Sequence, residues 1–138
     1  MSELEDSHHF FRHIKKAWMQ GDFIDPAAFR IRIGHETGLS VNWAEYFGQS
    51  NFKDAISPLK HILEAKGRTV GGQSKFALLN VSRAKEAASL YVPITVEYDA
   101  EPNDKSHALV KGYDEEAYND LVAEELAKVI IHTYPAVS

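Results

Sequence analysis

The run FALLNV at 76–81 is apolar at successive positions yet spans only six residues. Strand side chains alternate between the two faces of a sheet, so a short continuous run of this kind suits a strand covered on both sides. A fold that accommodates it must place other elements against each face.

Periodicity elsewhere supplies those elements. Phe10, Phe11, Ile14, Ala17 and Trp18 recur at three- and four-residue spacing behind Ser7, which predicts a first helix over 7–19. After the turn at Asp25-Pro26, Phe29, Ile31 and Ile33 alternate with Arg30, Arg32 and Gly34, the period of a half-buried strand. Leu39, Val41 and Trp43 repeat that period beyond a turn or bulge at Thr37-Gly38. Residues 44–56 turn helical, and a new helix is expected at Pro58, capped by Ser57 and stopped by Gly67, because proline is tolerated in a first helical turn. Ser82 caps a short helix over 83–90. Val92, Ile94, Val96 and Tyr98 form a strand that pairs antiparallel with 108–112 across the turn-rich segment DAEPNDKS. Asp114 opens the last helix, with Leu121, Val122, Leu126, Val129 and Ile130 inside and Pro135 at its end.

Strands therefore outnumber a simple alternation with helices, and the fold class is α+β: a mixed or mainly antiparallel sheet of about five strands with helices packed on it. Residues 1–138 read as a single domain, with 1–6 expected as a flexible lead-in. A hydrophobic fraction of 44% and a charged fraction of 25% are ordinary for a globular chain able to bury its own core.

Composition narrows the chemistry further. No cysteine is present, which removes disulfides, thiolate zinc sites, iron–sulfur clusters and a cysteine nucleophile. Fifteen Lys and Arg stand against twenty Asp and Glu, interspersed to a net charge of -5, so no nucleic acid is expected as a partner. No stretch reaches the roughly 18 apolar residues of a membrane span, and the acidic start MSELED is unlike a secretory signal. The expectation is a cytoplasmic protein with no membrane contact.

Two polar stretches are candidates for a site. In GHETGLSVNW at 34–43, Glu36 is a potential acid or base, with Ser40 and Asn42 as hydrogen-bonding partners; His35 and Glu36 face opposite sides unless the backbone turns between them. In the hairpin loop, Asp104 and His107 stand three apart with Ser106 between them, and His35 brought beside them would complete a weak divalent-metal candidate of His35, Asp104 and His107. The plainer reading of the same residues is a strand-end His35, a Glu36 carboxylate satisfied by an arginine on its side of the strand, Arg30 or Arg32, and a polar turn. No Gly-x-Ser-x-Gly elbow is present, and the Gly71-Gly72-Gln73-Ser74-Lys75 loop lacks the ending of a phosphate-binding loop, so serine catalysis finds no motif here. His9 and His13 are four apart, a metal-binding spacing only if the segment is helical. The consecutive aromatics Phe10-Phe11 and Tyr46-Phe47 do not both fit one narrow buried face, which raises the expectation of a covering partner, a second copy of the chain being the simplest.

The segments ETGLSVNW (36–43), LNV (79–81) and SHALVKG (106–112) resemble a pattern in small uncharacterised bacterial proteins. The resemblance implies no activity, but it favours a pocket shared by the two polar stretches. The expected function is a binding module for a protein or a small ligand, with a polar cleft of Glu36, Ser40, Asn42 and His107 and no cofactor. The alternative is a small hydrolase or transferase in which His107 and Glu36 carry acid/base chemistry or hold a metal.

Overall fold

The computed structural model describes residues 3–136. Its chain order is β1 (His9–Ile14), β2 (Met19–Gln20), β3 (Phe23–Ile24), β4 (Leu39–Trp43), α1 (Ile56–Ala65), β5 (Lys75–Asn80), α2 (Val81–Ala88), β6 (Thr95–Tyr98), β7 (His107–Lys111), α3 (Glu116–Lys128) and β8 (His132–Pro135), with short 3-10 turns between several of them. Six strands form one sheet in the order β6-β7-β4-β1-β5-β8, and β2-β3 make a separate two-stranded ribbon. Every pairing is antiparallel. The fold is the α+β domain that the sequence predicts, with one more strand in the main sheet.

Two apolar layers hold the sheet. Phe10, Ile14, Leu39, Val41, Ala77, Leu79, Val96, Ala108 and Val110 face α2, α3 and the 3-10 turn Pro26–Phe29 in one core. Phe11, Phe76 and Leu78 face α1 through Ile56, Leu59 and Leu63 in a second. Residues 76–80 of the FALLNV run lie in β5, flanked by β1 and β8, with Phe76, Ala77, Leu78 and Leu79 buried on both faces as the pattern requires, and Val81 opens α2. α1 covers only the β1-β5-β8 half of its face, so Ser40, Thr95, Glu97, Leu109 and Lys111, on the half formed by β4, β7 and β6, remain partly exposed.

The expected first helix is instead β1. Phe10 and Phe11 are 0% and 1% exposed, one in each core, a burial that a strand between two layers provides and one helical stripe does not. This burial within one chain removes that pair as a reason for a covering partner, while Tyr46 stays exposed. Residues 29–33 are not a strand: Asp25 caps the 3-10 turn Pro26–Phe29 by accepting from Ala27 N, and Ile31 is held by Asn119, whose side chain bonds both its N–H and its carbonyl. α1 begins before Pro58, α2 is capped by Asn80 and not Ser82, and Pro135 closes β8, a strand the periodicity does not reveal. Of the expected flexible lead-in, Leu4 is buried and its N–H bonds Val96 O, docking the segment along β6; Met1 and Ser2 lie outside the described residues.

Candidate functional site

β4 and β7 pair in the register Leu39↔Val110, Ser40↔Leu109, Val41↔Ala108 and Asn42↔His107. Even-numbered residues of β4 and odd-numbered residues of β7 therefore share the half-open face. Gly38 makes the approach possible: a Cβ there would meet Val110 O at 2.9 Å and Lys111 Cγ at 2.9 Å. At the far end Asp99 N bonds His107 O, so Asp99 extends the β6–β7 hairpin to stand beside His107.

A continuous hydrogen-bonded chain results. His107 Nδ1 lies 3.0 Å from Asp99 O and 3.1 Å from Asp99 Oδ2. Both neighbours are acceptors, so Nδ1 carries the ring proton, and Nε2 is left to accept from Ser40 Oγ at 2.7 Å. His107 is buried, Ser40 half-buried and Asp99 exposed.

Next to this chain is a second network centred on Asp104. Oδ2 accepts from Lys66 Nζ and Asn42 Nδ2, each at 2.9 Å, and Oδ1 accepts from Ser106 N at 3.1 Å and Ser106 Oγ at 2.7 Å. Burial opposes the charge on Asp104, but the bonds from Lys66, Ser106 and Asn42 outweigh it and hold the carboxyl below its ordinary value. Lys66 also approaches Glu101 Oε1 at 2.6 Å.

On the opposite edge of β4 the sheet divides. β1 pairs β4 only through Phe10↔Trp43 and Phe11↔Asn42, then continues with β5 alone. Arg12 spans the split, donating from Nη1 to Ser40 O at 2.9 Å and from Nε to Ala28 O at 2.8 Å, with its guanidinium 5.5 Å from the Trp18 ring centroid. Burial lowers its pKa to about 10. A strand residue directs its N–H and its carbonyl to the same side, so the Ser40 N–H also points into the split. His13, on the adjoining stretch of β1, is lowered to about 4 by burial and by Arg12, Lys15 and Arg68. Ser74 Oγ donates to Gly71 O, so it accepts from His13 Nε2 at 2.9 Å.

Of the expected site residues, Ser40, Asn42, Asp104 and His107 come together. Glu36 does not join them: its Oε1 accepts from Arg32 N at 3.1 Å and lies 3.5 Å from Arg32 Nε, closing its own turn. His35 is exposed in that turn. The donors that do converge with His107 are Asp99 and Glu101, within 4.8 Å of one another. They fit a metal ion poorly, since Nδ1 is committed to Asp99 O and the Lys66 ammonium occupies the Glu101 side. Asp104 has both oxygens engaged. His9 and His13 lie on a strand, where His9 pairs with Glu45 at 2.6 Å and His13 with Ser74.

Asp99 opens the turn-rich segment DAEPNDKS, but sequence reasoning gives it no role, and it misses Arg12 and Lys66. Extending the hairpin register by one pair would have placed Asp99 opposite His107. No local signal marks Arg12, whose role arises from the sheet dividing beside it. No protein family, curated protein or solved structure matches the chain, and among the described residues no helix is long and apolar enough to cross a membrane.

Proposed function

We propose that this chain is a binding module for a small polar molecule, held on the half-open face of β4, β7 and β6. One observation carries the reading: a sheet face that α1 leaves uncovered presents Ser40, Thr95, Glu97 and Lys111 around Leu109, beside the rigid Asp104 network. Such a surface sets one apolar side chain among polar groups, Thr95 and Lys111 being held by Glu97, and supports polar contacts to a small molecule. A cytoplasmic setting belongs to the same proposal, supported by a charged chain that uses no disulfides.

Backbone amide shifts of the labelled chain, recorded while acetate, butyrate, nucleosides and hexoses are titrated in turn, test it. Shifts confined to 38–42, 95–98 and 107–111 are expected with at least one of these compounds. Shifts elsewhere only, or none at millimolar concentration, overturn the reading.

A second reading, acid/base catalysis in a small hydrolase or transferase, is favoured by the two-sided engagement of His107, with Asp99 in the place expected for Glu36.

A further inference from the structure

We infer that Ser40 is a nucleophile that cleaves small carboxylic esters. The inference rests on the proposed ligand face and adds a reaction to it. Ser40 Oγ donates to His107 Nε2 at 2.7 Å, and Nδ1 of the same ring is fixed by Asp99 through both its carbonyl and its carboxylate at 3.0 and 3.1 Å. Nucleophile, base and orienting acceptor thus stand in the sequence that activates a hydroxyl, recognised by geometry and not by any motif.

The backbone supplies a further requirement. An acyl transfer develops negative charge on the carbonyl oxygen, which needs a donor close to the nucleophile. The Ser40 N–H points into the split between β1 and β4, where the register has already ended at Phe11↔Asn42. Arg12, donating to Ser40 O in the next peptide unit, anchors β4 beside that N–H and brings a positive charge to the split.

In the first step Ser40 Oγ forms a bond to the carbonyl carbon as its proton passes to His107 Nε2. The carbon–oxygen bond to the alcohol then breaks, and the departing alkoxide takes the proton from Nε2. Water repeats the sequence on the acyl-serine: its proton goes to Nε2 and then to Ser40 Oγ as the carboxylic acid leaves. Asp99 holds the ring in the acceptor tautomer throughout and is a positioning residue.

The full chain incubated with an alkyl fluorophosphonate tests this directly. One covalent adduct is expected, mapped by peptide mass spectrometry to Ser40, retained in Ser82→Ala and absent from Ser40→Ala. Hydrolysis of p-nitrophenyl acetate should fall about a hundredfold in His107→Gln and about tenfold in Asp99→Asn, where the main-chain acceptor survives. No adduct at Ser40 on the unaltered chain, or hydrolysis unchanged in a folded Ser40→Ala, overturns the inference. The adduct is read on the native protein, so a variant that fails to fold does not decide the matter. Amide shifts on the half-open face without an adduct leave the binding module standing and remove only the nucleophile.

Discussion

Asp104 is a buried carboxylate whose two oxygens are engaged by Lys66, Asn42 and Ser106, so removing its charge leaves an ammonium and an amide facing a weaker partner. Asp104→Asn should cost about 3 kcal/mol, measured by urea unfolding. Its native pKa lies below the unfolded value of 3.8, so the stabilisation is complete at neutral pH and is lost as pH falls below that value. His13 acts over a different window. Its native pKa of about 4 lies beneath the unfolded 6.5, so the unfolded chain takes up the proton first, and stability falls as pH drops from 6.5 towards 4. After allowance for solvent screening the loss is about 1–2 kcal/mol. His13→Gln keeps a donor for Ser74 and should flatten that limb of the stability–pH curve. At this scale the residue types were legible but their partners only in part: Ser40, Asn42 and His107 share parity across a register that alternation implies, and parity also puts Glu36 on the side of Arg32, which claims it, although through a turn and not along a strand.

The adjacent phenylalanines of β1 give the clearest test of how the elements pack. Phe10 and Phe11 belong to separate cores, so Phe10→Leu and Phe11→Leu should each cost about 1 kcal/mol, and the double variant should cost their sum within about 0.5 kcal/mol in chemical denaturation. Gly38→Ala is expected to destabilise by about 1–3 kcal/mol, because the new methyl meets the Val110 carbonyl and β4 must move away from β7. The same strand explains the largest error in reading elements from sequence. Phe10, Phe11 and Ile14 satisfy a helical period, and the identical set satisfies a strand covered on both faces; six residues are too few to separate the two. Where one face is open, as in β4 and β7, alternation finds the strands, although the same alternation at 29–33 belongs to no strand. The segment around Ile31 and the strand β8 depend on distant partners, Asn119 and β5 respectively, and leave no period of their own.

At the scale of the whole molecule the two edges of the sheet differ. β6 is covered by Glu3 and Leu4, whereas β8 is a four-residue edge ending in Pro135, too short to recruit another strand readily. Deleting 1–7 should expose the β6 edge, lower the melting temperature and produce concentration-dependent association in sedimentation velocity. The interior is less uniform than its strand count suggests. With β1 and β4 joined over two residue pairs, β6-β7-β4 and β1-β5-β8 are in effect two three-stranded plates riveted at one corner, with Arg12 as a clip farther along the seam. Amide hydrogen exchange should therefore be slow inside each plate and fast at Ser40, and replacing the clip by Arg12→Met should let the plates shear, loosening the seam long before either plate unravels.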